Sequence, residues 1–437
     1  MRGTSISCEL RDNTIRGSAF AGVVLCARAA ATLADNRIVE SGSTGLEVYG
    51  ACHDLLITRN AISGTAGVGM LVREGSSGSF KGNVVRDAGA TSLEICGCGS
   101  DVCIEGNQFL GGRSGFGVLL GPGAEATISD NEVRGHPLGG VEIAAGACPT
   151  LCGNTVGACG GAGVLIDADG GGTLRKNTIA DNLRHGIECC SSHAALLLEH
   201  NTISGHKRGS GVVVRAGGGG RWHDNVISGN LVGVDVVDGA RPELLRNRIH
   251  ANAREGLTIG QGSVASVVDC TVRANGKARV AHATARRGPQ VPLDDMGAGI
   301  VVRAGGEALM RGNQISMNAG AGVFAHADST ATLTANVFRG NKGMELAARP
   351  LSRMSVADTD LRSTDPTRAV TPQVVRRQRT PFDWTIGSNV SAEDKSLAER
   401  AAEYRAQYEA MRGSDKMESG IAMLPPGADA TQVCALQ

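Results

Sequence analysis

Aromatic side chains are scarce in this chain: seven Phe, three Tyr and two Trp among 437 residues. A core without rings has to be filled by Val, Ile, Leu and Ala. Net charge is also lacking, with 43 basic against 43 acidic side chains. That removes the general electrostatic reason to expect nucleic acid or an acidic membrane as a partner. No run approaches the ~18 apolar residues that a membrane helix needs. The first 30 residues lack a basic stretch followed by an apolar one, so no cleaved secretion signal is expected. The 13 cysteines are odd in number and scattered. They argue against a disulfide framework and for free thiols in a reducing, intracellular, cytoplasmic setting. Zinc spacing is missing too. Cys96, Cys98 and Cys103, or Cys148, Cys152 and Cys159, do not recur at equivalent positions. No metal and no cofactor are expected.

Glycine is what the chain has in excess: 63 residues, about twice the usual share. Length alone would suggest several domains, but one repeat runs through most of the chain. The pattern Asn, any residue, apolar recurs at Asn13, Asn36, Asn60, Asn83, Asn107, Asn131, Asn154, Asn177, Asn201, Asn225 and Asn247. Cys270 takes the slot once, and Asn313 and Asn336 follow. Nearly all steps are 22 to 24 residues, and the step from 270 to 313 is 43. Apolar residues stand two places after each slot (Ile15, Ile38, Ile179, Phe338) and three places before it (Leu10, Leu33, Trp222, Met310). A third apolar strip follows a glycine, as in Gly45-Leu46-Glu47-Val48 and Gly163-Val164-Leu165-Ile166, with Ser92 replacing the glycine once.

The spacing within each strip is two, which describes short strands and excludes helices. A single repeat cannot bury its apolar positions. Stacking repeats at the strand spacing of about 4.8 Å makes one continuous core. Asn at a fixed turn can bond to the Asn above and below it. The glycine is expected to supply the unusual backbone angles of a corner. Fourteen slots predict an all-β, single-chain parallel solenoid over 1–348, roughly 65 Å long.

This pattern resembles the right-handed parallel β-helix repeat of the pectate-lyase-like superfamily, over roughly 80 % of the chain. The resemblance implies the fold. It leaves function open among polysaccharide lyases, hydrolases and epimerases, copper-maturation factors, and non-enzymatic intracellular β-helices such as those of some F-box proteins. Stretches such as Gly67-Val68-Gly69 and Gly209-Ser210-Gly211 are then corners before strands, not nucleotide loops, which require a helix next.

The middle residue of the third strip points outward. Coil by coil it reads Val24, Glu47, Leu71, Glu94, Leu119, Glu142, Leu165, Glu188, Val213, Asp235, so that aliphatic and acidic alternate for ten coils. Thr258, Val301, Phe324 and Glu345 are read as the positions where the pattern is lost. Duplication of a two-coil unit would produce the same alternation, with acids spaced to limit repulsion. The functional reading is a partner-binding face. In the stretch 176–190, His185, Glu188, Cys189 and Cys190 look like metal ligands, yet Glu188 and Cys189 must point to opposite sides of the wall.

Two acids two coils apart are separated by about 9.6 Å, near the upper end of the carboxyl separation of inverting glycosidases. Against an enzyme stand the even spread of the acids, the lack of spare aromatics and the lack of an export signal. A bound calcium, or an Arg or Lys close to two of the row acids, would favour an enzyme. An apolar row covered by protein would favour a scaffold. The long insertion at 276–297 carries Lys277, Arg279, His282, Arg286, Arg287, Asp294 and Asp295, a candidate binding loop.

Met1 leaves no room for a cap before Leu10, so either the first coil is expected to meet a protein partner or the true start lies further upstream. Residues 349–392 read as an extended linker and 393–412 as a helix. The helix carries a stripe of Leu397, Ala401, Tyr404, Tyr408 and Met411, expected to dock on the aliphatic row. The tail 413–437 ends in Cys434-Ala435-Leu436-Gln437, which resembles a farnesyl-type prenylation box. One lipid implies weak, transient membrane attachment at Cys434. The sequence therefore leads to a non-catalytic intracellular scaffold with protein partners and no nucleic acid. The alternative is a carbohydrate-active lyase, hydrolase or epimerase.

Overall fold

The computed structural model describes residues 7–97, 101–193, 196–277, 295–362 and 375–376. Within them the chain winds as a parallel solenoid of about fourteen coils. Each coil contributes one short strand to each of three parallel sheets, of 16, 15 and 14 strands. Coil 8 shows the plan: Thr173–Arg175 lies in sheet A, Thr178–Ala180 in sheet B and Ile187–Cys189 in sheet C. The strands pair without slippage, Ile179 with Val156 below and Ile203 above.

The alternation expected from the period of two is realised. Leu174, Ile179, Ile187 and Cys189 of coil 8 all point into one cluster that runs through the stack. Four of the scarce rings are spent there: Trp222, Phe80, Phe109 and Phe338 are fully buried. Trp222 Nε1 donates to the Gly219 carbonyl at 2.9 Å, so its polar atom is satisfied.

The asparagine slot is the corner between sheets A and B. The residue before it takes a left-handed backbone, as at Asp35, Arg59, Lys176 and Asp224, where short polar side chains are best tolerated. The ladder forms along the stack. Asn177 Oδ1 accepts from both the backbone N–H and Nδ2 of Asn154, each at 3.0 Å. Asn177 Nδ2 also donates to the Leu151 carbonyl at 3.0 Å. Each buried amide thus satisfies backbone groups that a turn would otherwise leave unpaired. At Cys270 the thiol takes over the donor role, toward the carbonyls of Leu244 and Val268.

A second ladder, absent from the reading of the sequence, runs five residues after the slot, at the corner between sheets B and C. From Asn230 it continues through Asn252, Asn275 and Asn318 to Asn341 with the same Oδ1 acceptor pattern. Below it the column holds His206, Asn182, Cys159 and His136. In coil 5 the position is Gly112, and His136 lies over it, with a Cβ on Gly112 only 3.4 Å from the ring. From there His136 Nε2 reaches back two coils to the Ser92 hydroxyl at 2.9 Å.

Burial pushes His136 down to about 4. Its folded value lies below the ordinary ~6.5, so its contribution to stability is present above pH 6.5 and is lost as pH falls towards 4. The expected loss is about 3 kcal/mol. Denaturant unfolding of wild type and His136→Gln at pH 7 and pH 4 checks this, and the variant should lose clearly less stability on acidification. The comparison is best made in a Glu142→Gln background, because Glu142 titrates with the opposite sign.

Four expectations change. The glycine before each sheet C strand does not have left-handed angles. A Cβ on Gly163 would meet Ile179 Cγ2 at 2.5 Å, Asn182 Nδ2 at 2.6 Å and the Gly186 carbonyl oxygen at 2.7 Å. The glycine is there because the corner packs against the next coil with no room for a side chain. Second, the solenoid runs past Ala348 into the stretch read as linker. Arg353–Ala357 joins sheet A, Asp360–Arg362 joins sheet B, and Val375–Arg376 pairs with the former. Thr359 occupies the ladder slot there, accepting from the Asn336 backbone at 3.4 Å. Third, Phe324 pairs with Ala347, so Ala347 and not Glu345 continues the outward row. Cys148 is disulfide-bonded, unlike the free thiols expected of the cysteines. Ten described cysteines are free.

Candidate functional site

The outer face of sheet C carries two columns of side chains. The first is the predicted row. Glu47 pairs with Leu71, Glu94 with Leu119, Glu142 with Leu165 and Glu188 with Val213, in continuous register. The second column lies two residues later on each strand. It holds Tyr49, Arg73, Cys96, Gly121, Ala144, Asp167, Cys190 and Arg215 in coils 2 to 9. The chemistry comes from the way the columns meet diagonally, which the first column alone did not disclose.

An acid of the row faces the second-column residue of the next coil. Glu47 meets Arg73, whose Nη2 donates at 2.7 Å. That guanidinium also lies over the Tyr49 ring, 5.4 Å from its centroid. Glu188 meets Arg215, whose Nε donates at 2.7 Å and whose Nη2 stands at 2.5 Å. The Glu188 side chain is 14 % exposed, so this pair is shielded on the acid's side. Two row acids therefore do have an arginine beside them.

At Glu142 the diagonal partner is Asp167 in place of an arginine. Burial first, and then the Asp167 carboxylate, push the Glu142 carboxyl up to about 7. Asp167 also hydrogen-bonds with it. The rest of the row is less built. Glu94 faces Gly121 diagonally and has the Cys96 thiol at 3.8 Å. Asp235 accepts from the Thr258 hydroxyl. Between the acids, Leu71, Leu119 and Leu165 are half-buried, and Val24 is 45 % exposed.

From coil 11 onward the face changes character. Thr258, Val301, Phe324 and Ala347 point outward yet are almost fully buried. Val301, Phe324 and Ala347 pack with Ala298, Ala321 and Met344 in a small apolar cluster of their own. Of the candidate loop, Lys277 and Asp295 are described. Asp295 Oδ2 accepts from His326 Nε2 at 3.0 Å and stands 3.5 Å from Arg303 Nη1. Both partners belong to the second column, so this end of the loop returns onto sheet C. Arg279, His282, Arg286, Arg287 and Asp294 lie outside the described residues, as do the 393–412 stripe and Cys434.

In the stretch 176–190 Cys189 is buried in the core, its thiol pushed up to about 12 by desolvation, whereas Glu188 lies on the outer face. They do not converge. Among the described residues no group of three or more His, Cys, Asp or Glu could hold a metal ion. No described helix is long and apolar enough to cross a membrane.

The family model for the right-handed β-helix region matches residues 1–156 and 146–291. The chain belongs to the right-handed β-helix family. The β-helix is also similar to several solved structures. The periplasmic alginate epimerase AlgG is 16% identical, with 77% of this chain and 78% of that chain covered and a TM-score of 0.49. The Azotobacter vinelandii mannuronan C-5 epimerase AlgE6 A-module is 15% identical, covering 85% and 91%, with a TM-score of 0.38. The Agl-KA catalytic domain is 10% identical, covering 75% and 62%, also at 0.38. No curated protein matches.

Proposed function

We propose that the outer face of sheet C over coils 2 to 10 binds an extended polysaccharide and acts on it by acid–base chemistry. The observation that carries this reading is the contrast along one row. Glu142 beside Asp167 has a carboxyl with a value of about 7, whereas Glu188, two coils away, is ion-paired with Arg215. A carboxyl that keeps its proton, set two coils from one ion-paired with an arginine, is an arrangement that can divide acid and base roles. Glu142 would hold a proton at neutral pH and give it to the leaving oxygen of a glycosidic bond lying over Leu165. Glu188 would activate water on the other side of that bond. Their two-coil separation, about 9.6 Å between backbones, leaves room for that water, since inverting pairs stand about 6.5–9.5 Å apart. The aliphatic side chains between the acids offer apolar contact to the C–H faces of sugar rings. This replaces the aromatic stacking that the composition cannot supply.

The test is a panel of polysaccharides, read by new reducing ends and by binding. Glu142→Gln, nearly isosteric, should lower turnover by about 100-fold or more while leaving binding within a few-fold. The activity of wild type should fall as pH rises through about 7. If no polysaccharide binds or is altered, this reading fails, and a non-catalytic protein-binding face is what remains.

A further inference from the structure

The row has a period as well as a composition. Its acids recur at Glu47, Glu94, Glu142, Glu188 and Asp235, every second coil, a step of about 9.6 Å along the stack. The intervening coils present Leu71, Leu119 and Leu165, each half-buried, while Val213 at the next place is buried. In a two-fold, 1,4-linked glycan successive sugars are flipped. The same edge then returns to the same side once per disaccharide, a distance comparable to this two-coil step. A chain lying along the solenoid would therefore meet an acid with every second sugar and an aliphatic side chain with the one between.

The charge of the face limits what that chain can carry. In the two columns over coils 2 to 10 the carboxyls of Glu47, Glu94, Glu142, Asp167, Glu188 and Asp235 outnumber Arg73 and Arg215. Both arginines are already engaged by row acids. Glu94, Asp167 and Asp235 have no arginine at the diagonal position. A polymer with a carboxylate on each sugar would bring further negative charge against them at distances where like charges repel. Hydroxyl groups, in contrast, can donate to these carboxylates.

Resting on the reading of sheet C as a saccharide face, we infer that its ligand is an uncharged, 1,4-linked glycan read in disaccharide steps. Glu94 and Glu188 accept from sugar hydroxyls, Glu142 between them donates its proton to an oxygen of the bound chain, and Leu119 and Leu165 support the intervening sugars. A polyuronate is excluded by the charge of the row.

The experiment uses the whole chain and size-defined oligosaccharides of two to eight sugars, by calorimetry or tryptophan-independent competition binding. Neutral 1,4-linked series (cello-, manno-, xylo- and N-acetylchito-oligosaccharides) are set against oligogalacturonates and oligomannuronates. The expected result is binding to a neutral series, with affinity rising mainly at even lengths, and at least ~10-fold weaker binding of oligouronates. Glu94→Gln should narrow that preference from both sides, raising oligouronate affinity and weakening the neutral ligand by a few-fold. Binding of oligouronates alone overturns this inference but keeps the saccharide face. A neutral series whose affinity rises equally with every added sugar overturns the disaccharide register. Failure of every oligosaccharide and polysaccharide overturns the saccharide face itself, and this inference with it.

Discussion

Replacing Gly163 by alanine is expected to destabilise the solenoid by about 3 kcal/mol, at the upper end of what overpacking costs. The added Cβ would stand 2.7 Å from the Gly186 carbonyl oxygen and 2.5 Å from Ile179 Cγ2. The carbonyl belongs to the next coil's backbone and accepts the Val164 N–H at 2.9 Å. It cannot withdraw without opening that rung. Gly146 is the contrast: its φ is +74° and a Cβ there meets nothing within 4 Å. Gly146→Ala should cost only the left-handed backbone penalty, about 1 kcal/mol. Denaturant unfolding of the two variants separates crowding from conformation. Equal losses would mean that the coil yields to the added Cβ and that crowding is not what keeps glycine there.

Asn201→Leu is the second change expected to have a large effect. Asn201 Oδ1 accepts from the Asn177 backbone N–H and Nδ2, each at 3.0 Å, and its own Nδ2 donates to the Leu174 carbonyl at 2.8 Å. Leucine fills the space but leaves these fully buried groups without partners. An unsatisfied buried donor or acceptor costs about 1–3 kcal/mol, so a total loss of about 4 kcal/mol is expected. Coil 12 is nature's own version of the experiment, with Cys270 giving a partial substitute through its thiol. Asn201→Cys should accordingly lose less than Asn201→Leu, by calorimetric or denaturant unfolding. A leucine variant within ~1 kcal/mol of wild type would show that the ladder is filling and not bonding.

The solenoid was legible because its signals repeat. The Asn slot, the apolar residue two places on and the one three places before each recur in nearly every coil. A change at one site, such as Cys270, does not hide the period. What failed to show in the sequence is what occurs once or is spread between coils. The second ladder uses asparagine regularly only from Asn230 onward, and its earlier members His206, Asn182, Cys159 and His136 mix three side-chain types. Ser92 and His136 are 44 residues apart, and nothing in either local stretch announces the other. The end at Ala348 was misread because Thr359 replaces the slot asparagine, although Leu361 keeps the apolar place after it. Glu345 differs for a related reason: it occupies the position of the missing glycine, so the strip has no corner residue from which its middle position can be counted.

The candidate site was half legible. The row of acids could be read directly, since their period is fixed by the coil. What makes Glu142 unlike Glu47 and Glu188 is the identity of a residue on the following coil, Asp167 in place of Arg73 or Arg215. That comparison needs the diagonal register of two columns, which becomes apparent only when strands are set side by side.

The alternation of the row also restricts how this molecule can grow or shrink in evolution. A stack of near-identical coils tolerates insertion or loss of whole coils without disturbing the core. Adding one coil in the middle of sheet C, however, would shift every later acid into an aliphatic turn of the pattern and break the match between the two halves. Adding two would leave it intact. For this face the heritable unit of length is therefore the pair of coils, and related chains that keep the surface should differ from this one by even numbers of turns.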